Sequence, residues 1–226
     1  MITKNTFEFL SKIEENNNRE WFNENKAAFL EINNRAKDYF KEIYTAFQEK
    51  DSLEKIQYYR IYKDVRFSKD KAPYNKHLSV SFARTKPFLR GGYYLRIEND
   101  ASFVGGGFWE PNKDDLLRIR KEIELDASEF REIINQANFK KYFGKLQGDE
   151  LKTAPRDFDK NHTNIDLIRK KQFLVGRNFS NKEVLLPNFK EEILATLEAM
   201  RPFFDYMSSV LTTNLNGEST IQKQIK

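Results

Sequence analysis

Residues 78–83, Leu-Ser-Val-Ser-Phe-Ala, and residues 93–98, Tyr-Tyr-Leu-Arg-Ile-Glu, decide the fold class of this chain. In both stretches large apolar side chains alternate with smaller or polar ones, which is the pattern of a strand with one buried face. Asn99-Asp100 then supplies a tight turn into Ser102-Phe103-Val104. Strands joined by short turns pair antiparallel, so the sequence predicts an antiparallel sheet in the middle of the chain.

Helical patterns lie on both sides of these strands. Apolar residues recur at helical spacing from Phe7 to Ile13, from Phe22 to Phe47, and from Leu194 to Met207. Pro202 falls inside the last helix and should kink or split it. We therefore predict an α+β fold in which the mid-chain sheet packs against N-terminal and C-terminal helices.

The length and composition indicate one domain. A chain of 226 residues with 20 Phe, 10 Tyr and 32% charged residues is typical of a globular α+β unit. We assign residues 1–213 to that domain and residues 214–226 to a polar tail of the kind that is often disordered.

Several compartments and chemistries are disfavoured. No apolar run approaches the roughly 18 residues of a membrane span, and no basic segment followed by an apolar one opens the chain. The absence of cysteine excludes disulfides, thiol nucleophiles and thiolate metal sites. We expect a cytoplasmic protein that does not contact membranes, and no residue pattern specifies its oligomeric state.

The net charge of +5 is unevenly distributed. Between Lys55 and Arg96, eleven Lys or Arg residues stand against two acids, which gives +9 and leaves −4 for the rest of the chain. Such an excess attracts anions, although a solvated basic face has the same composition.

The densest part of this region is residues 60–77, RIYKDVRFSKDKAPYNKH. Guanidinium and ammonium groups beside aromatic faces suit the recognition of phosphates or carboxylates, with stacking on a ring or base. We expect the following residues to bind such a ligand: Arg60, Lys63, Arg66, Lys69, Lys71, Tyr74, Lys76 and His77. The structural alternative is an ion-pair network, with Asp64 and Asp70 as its acids.

Gly105, Gly106 and Gly107 are the second unusual feature. Each glycine in a strand costs roughly a kcal/mol relative to alanine, so a bulge, a close packing contact or a ligand should compensate. We expect these glycines to meet the basic segment at one site, where a ligand fills the space above them.

Candidates for catalysis are few. His77 and His162 are the two histidines, and their spacing does not support a metal site. The chain also lacks a serine-hydrolase motif, a phosphate-binding loop and a dinucleotide fingerprint, so we predict no metal and no cofactor. His162, Asp166 and Arg169 fit one face of a helix, or simply a helix start. His162 and Asp64 are the candidate proton carriers, and the sequence leaves open whether the chain is an enzyme.

The core motif at residues 66–74, RFSKDKAPY, resembles that of domain-of-unknown-function family 2461, a family of bacterial and some fungal proteins of about this length. The resemblance continues through Gly-Gly-Tyr-Tyr at 91–94, Ser-Phe-Val-Gly-Gly-Gly at 102–107, and His162-x-x-x-Asp166-Leu-x-Arg169. Lys63 departs from the pattern, in which arginine is expected. The resemblance implies a shared fold and supplies no catalytic residues.

Three functions are compatible with these observations. The leading hypothesis is a pocket protein, with or without enzymatic activity, that binds an anionic and phosphate-bearing small ligand. The others are a nucleic-acid-binding module that uses the same basic surface, and a scaffold for an acidic protein partner. A concave cleft would favour the first, an open surface with spread cations the second, and an exposed apolar patch the third.

Overall fold

The structure is a computed structural model, which describes residues 1–221 and builds them around one sheet. The five strands are β1 Leu53–Tyr58, β2 His77–Arg84, β3 Gly92–Glu98, β4 Ser102–Phe108 and β5 Phe173–Phe179. Each strand pairs antiparallel with the next one along the chain. The predicted antiparallel sheet is therefore confirmed.

Helices precede the sheet, interrupt it between β4 and β5, and follow it. The first group is α1 Lys4–Glu15, α2 Arg19–Glu24 and α3 Lys26–Phe47. The second is α4 Lys113–Leu125, α5 Ser128–Asn135, α6 Ala137–Phe143 and α7 Ile165–Ile168. The third is α8 Asn181–Val184 and α9 Phe189–Thr212.

Three local features differ from the expectations. Strand β1 has no clear alternation in sequence, and the long N-terminal helical pattern is divided at Asn25 into α2 and α3. Helix α9 is not split at Pro202, although a split is one of the two outcomes that the sequence predicted there. Proline removes one helical N–H donor, but Met200, Phe203 and Phe204 on either side of it are fully buried, so packing holds the helix together.

Helices α3 and α9 cover the same face of the sheet. The ring of Tyr93 on β3 lies 5.0 Å from that of Phe47 on α3 and 5.0 Å from that of Phe204 on α9, measured between centroids. N-terminal and C-terminal helices thus share one core with the sheet, and the predicted α+β architecture is confirmed. The opposite face of the sheet carries the alternate residues of each strand, and they are mostly half-exposed.

A buried ion pair lies within this core. Arg84, at the end of β2, has 1% of its surface exposed, and its Nε lies 2.7 Å from Oδ2 of Asp51. The hydroxyl of Tyr93 also donates to Asp51, and Asp205 of α9 pairs with the Arg84 guanidinium from the solvent side. This cluster joins the segment before β1, strands β2 and β3, and α9.

The start of the predicted tail folds back on the domain. The Thr220 N–H donates to the Thr212 carbonyl at 2.8 Å, and the Arg118 side chain donates to the carbonyls of Thr213 and Asn214. The rest of the tail, residues 222–226, lies outside the described residues.

The buried pair generates a prediction about stability. Asp51→Asn should lower the free energy of unfolding by about 3 kcal/mol or more, because it leaves the Arg84 charge without its buried partner. Asp205→Asn is the matched control: its side chain is 46% exposed, so water can replace it and the loss should be clearly smaller. Urea unfolding of the two variants measures both effects, and equal losses would contradict the burial argument.

Candidate functional site

The basic segment forms a hairpin-like loop between β1 and β2. The Lys63 N–H donates to the Pro73 carbonyl at 2.8 Å, and the Asn75 N–H donates to the Ile61 carbonyl at 2.7 Å. Tyr62 and Tyr74 form the bridge between the two arms. Residues 64–72 are therefore the tip of this loop, which we call the basic loop (residues 59–76).

The base of the basic loop is fixed to the N-terminal helices. Tyr74 is 3% exposed and stacks on Phe22 of α2, with ring centroids 4.0 Å apart. The Asn17 side chain pairs with both the N–H and the carbonyl of Tyr74, each at 3.0 Å. These contacts hold the arms of the loop while leaving its tip in solvent.

Ion pairs within the tip support part of the structural alternative. Arg66 contacts Asp64 at 2.6 Å and Lys63 contacts Asp70 at 2.8 Å, in exposed positions. The hydrogen bond from Arg66 holds the pKa of Asp64 below its usual value, and Lys63 does the same for the pKa of Asp70. Both acids are therefore ionised at neutral pH.

Much of the positive charge in the region is neutralised by acids, two of them within the basic loop and the others elsewhere in the chain. Of the eleven cations between Lys55 and Arg96, six lie within salt-bridge distance of a carboxylate. Within residues 1–221, the five that have no such partner are Lys55, Arg60, Lys69, Lys71 and Lys86. The electrostatic attraction for an anion is thus concentrated on a few side chains.

A cleft of about 610 Å³ separates the basic loop from the exposed face of the sheet. His77 and Ser79 of β2 and Tyr94 of β3 form its floor. The loop and its arms supply the walls, which are Tyr59, Arg60, Tyr62, Lys63, Asp64, Val65, Ser68 and Asn75. Three phenol rings and two cations therefore surround one solvent-accessible space.

His77 is neutral in this setting. Burial lowers the pKa of its imidazole from 6.5, and the nearby charges of Arg96 and Lys63 lower it further, while Glu98 opposes them. A neutral imidazole both donates and accepts a hydrogen bond, so the unprotonated nitrogen of His77 can accept a proton from a ligand group that is bound against it.

The structure divides the sequence-predicted residues into two groups. Arg60, Lys63, Asp64 and His77 line the cleft. The other predicted residues of the basic loop do not. Arg66, Lys69 and Lys71 lie at the exposed tip, where the Lys71 ammonium group donates to the Val65 carbonyl at 3.1 Å. Tyr74 is buried at the base of the loop, and Lys76 pairs with Glu14 of α1.

The three glycines are explained by packing. A Cβ atom on Gly105 would lie 2.4 Å from the ring of Phe103, and one on Gly106 would lie 2.9 Å from a ring of α9. Gly107 has a φ of +133° and approaches the backbone of β5 so closely that a Cβ atom would meet a carbonyl oxygen at 2.2 Å. Protein atoms fill the space in which we expected a ligand, and these glycines do not line the cleft.

His162 is likewise engaged away from the cleft. Its Nδ1 accepts the Asn164 N–H at 3.1 Å, just before α7 begins. Asp166 pairs with Arg131 at 2.6 Å and Arg169 approaches Glu150 at 3.7 Å. The three residues therefore have separate partners and do not form an acid–base face.

The predicted ligand residues did not include the aromatic and hydroxyl residues of the cleft, which are Tyr59, Tyr62, Ser68, Ser79 and Tyr94. Ser79 and Tyr94 occupy the polar positions of the alternation that predicted β2 and β3. The signal was therefore present, but only the strand register shows that these positions face the basic loop.

Residues 1–221 contain no group of three His, Asp or Glu side chains arranged to hold a metal ion. None of the helices described has the length and apolarity that crossing a bilayer requires.

Comparison with family models identifies the chain's relatives. Residues 5–206 match the model of a family described as "Conserved hypothetical protein (DUF2461)". The chain belongs to this family. A search of curated proteins and a search of solved structures each found no match. Membership in DUF2461 confirms the resemblance seen in the sequence and assigns no ligand or reaction.

The environment of His77 predicts a pH dependence. Because its folded-state pKa lies below the unfolded value of about 6.5, the unfolded chain binds a proton first as the pH falls. The stability contributed by neutral His77 is complete above about pH 6.5 and is lost on acidification. Wild type should therefore lose more stability than His77→Gln between about pH 7 and about pH 5.

Urea unfolding across this pH range measures the difference, and NMR titration of the His77 imidazole gives its pKa directly. Parallel stability curves, or a His77 pKa at or above 6.5, would contradict the description of its environment.

Proposed function

We propose that this protein binds an anionic, phosphate-bearing small ligand in the cleft between the basic loop and the sheet. The observation that carries the proposal is that Arg60 and Lys63 line the same 610 Å³ space as three tyrosines. A volume in this range is typical of small-molecule sites.

The two cations suit a phosphate group in different ways. Arg60 has no carboxylate within salt-bridge distance among residues 1–221, so its forked donors are available for two anion oxygens. Lys63 is held at 2.8 Å by Asp70, which orients its ammonium group without burying it. Position 63 is lysine where the family resemblance predicts arginine. Its side chain therefore offers an anion a compact ammonium charge instead of a second guanidinium with paired donors.

The remaining wall suits a planar or partly apolar ligand body. Tyr59 and Tyr94 lie with ring centroids 6.0 Å apart, on the sheet side of the cleft. Phenol rings offer an apolar surface for stacking together with a hydroxyl for hydrogen bonding. Ser79 and Asn75 add polar groups that can fix the orientation of a ligand.

If the site supports chemistry, His77 is better placed than Asp64 or His162 to carry a proton. His77 is neutral and lies at the floor of the cleft. Asp64 is ionised and already accepts hydrogen bonds from Arg66, and His162 does not line the cleft.

The scaffold hypothesis has weaker support. A stable protein partner usually requires an exposed apolar patch beside the charged surface. The large exposed side chains of the basic loop are Phe67 at 94%, Tyr62 at 51% and Tyr59 at 45%, and the two tyrosines line the cleft. Phe67 lies outside the cleft, and one side chain supplies far less area than a specific interface buries.

The proposal predicts a selective loss of binding. Arg60→Gln combined with Lys63→Gln should weaken the binding of thymidine monophosphate by about 10- to 100-fold, because each substitution removes a charged hydrogen-bond donor. Lys69→Gln combined with Lys86→Gln removes the same charge from positions outside the cleft and should weaken binding much less.

Isothermal titration calorimetry, with inorganic phosphate as a second probe, measures these affinities. Equal losses in the two double variants would show a diffuse electrostatic effect and would contradict a site in the cleft. A wild-type protein that binds neither probe would overturn the proposal.

A further inference from the structure

The exposed face of the sheet carries a row of aromatic rings that continues beyond the cleft. From Tyr59, after β1, the row passes to Tyr94 on β3 at 6.0 Å and to Phe103 on β4 at 6.5 Å, measured between ring centroids. Tyr59 is 45% exposed and the other two rings are half-buried. Helices α3 and α9 cover the core on the opposite face of the sheet. The three rings therefore do not belong to that core.

The residues around the rings on this face are small, so their side chains project little from the sheet. The strand positions beside the rings on this face are Ser79, Ser81, Ala83, Gly105 and Gly176. Phe103 lies across two of them, because a Cβ atom on Gly105 or Gly176 would come within 2.4 Å of its ring. The glycines thus allow an aromatic ring to lie close against the sheet instead of allowing a ligand to approach the backbone.

Cations accompany the row from end to end. Arg60 and Lys63 stand at the cleft, where the row begins. The Arg96 guanidinium lies 5.9 Å from the centroid of the Phe103 ring at the other end, where Glu98 pairs with it at 3.0 Å. Lys55 is exposed on β1, at the alternate position that shares this face with Tyr59. Within residues 1–221, Arg60 and Lys55 have no carboxylate partner, so a ligand that follows the rings meets unbalanced positive charge on the Tyr59 side of the row, which matches the phosphates of a polyanion.

Aromatic rings in sequence beside cations are the arrangement that binds single-stranded nucleic acids, in which bases stack on the rings and phosphates contact the cations. A duplex would gain little from the rings, because its bases are stacked inside the helix. An acidic protein segment would match the charge but offers no regular series of planar groups.

We propose that the ligand in the cleft is one nucleotide of a single strand of DNA or RNA, and that the strand continues over Tyr94 and Phe103 across the open face of the sheet. This inference rests on the proposed function, because the phosphate at the cleft uses Arg60 and Lys63. Phe103 lies outside the cleft, so the extension can be tested separately.

The test compares a fluorescently labelled single strand of about six thymidylates with thymidine monophosphate and with a duplex of the same length. Wild type should bind the single strand more tightly than either of the others. Phe103→Leu should weaken binding of the single strand by about tenfold, because one base loses its stacking partner, and should leave binding of the mononucleotide unchanged.

Phe88→Leu is the matched control for the substitution itself, since Phe88 is exposed on the connection between β2 and β3 and is not one of the rings of the row. Arg60→Gln combined with Lys63→Gln should weaken the binding of both the single strand and the mononucleotide. For the single strand it should also reduce the slope of log affinity against log salt by about 0.7 for each phosphate contact that is lost. Thermal unfolding verifies that each variant is folded.

The outcomes separate the two proposals. If the mononucleotide binds in the cleft but the single strand binds no more tightly, or if Phe103→Leu has no effect on it, the strand proposal is overturned and the proposed function stands. Equal affinity for the duplex would also overturn the strand proposal. If neither ligand binds, both proposals fail.

Discussion

The buried pair of Arg84 and Asp51 is the interaction on which the arrangement of the sheet and helices depends. A guanidinium with 1% exposure cannot be left unpaired without a large penalty, so it requires Asp51 at a fixed position beside the end of β2. The carboxylate of Asp51 in turn accepts from Tyr93, whose ring lies between Phe47 of α3 and Phe204 of α9. Burial and the charge of Asp51 raise the pKa of Tyr93, so its hydroxyl remains a donor. One set of charges therefore fixes both covering helices against the sheet.

This constraint also affects the opposite face. With α3 and α9 held on one side, the alternate residues of β2, β3 and β4 face outward and form the floor of the cleft and the aromatic row. The basic loop is positioned from a different direction, through the contacts of Tyr74 with Asn17 and Phe22. The candidate site thus lies where a rigid sheet meets a loop with a fixed base and a free tip. Such a site combines preformed geometry with an adaptable wall.

The sheet and most helices could be predicted from the sequence because apolar residues recur clearly at strand or helix spacing. Strand β1 was missed for a physical reason: its pairing with β2 shifts register between Leu53 and Lys55, so the alternation of buried and exposed residues is broken within a short strand. The cations of the site were recognisable by composition, but their directions were not. Lys76 has the same local character as Lys63, yet it pairs with Glu14, which lies 62 residues away in sequence. The three glycines were ambiguous in the same way, since close packing by protein atoms and access by a ligand require the same absence of a Cβ atom.

The strand order of the sheet has a consequence for synthesis of the chain. Strands β1 to β4 are neighbours both in sequence and in space, so they can pair as soon as they leave the ribosome. Strand β5 and α9 follow only after the helical segment that begins with α4. Until α9 is made, the apolar face that contains Tyr93 has only α3 to cover it, and Arg84 lacks Asp205. Strands β1 to β4 on the nascent chain therefore expose hydrophobic surface. Helix α9, the last helix to be synthesised, covers that surface.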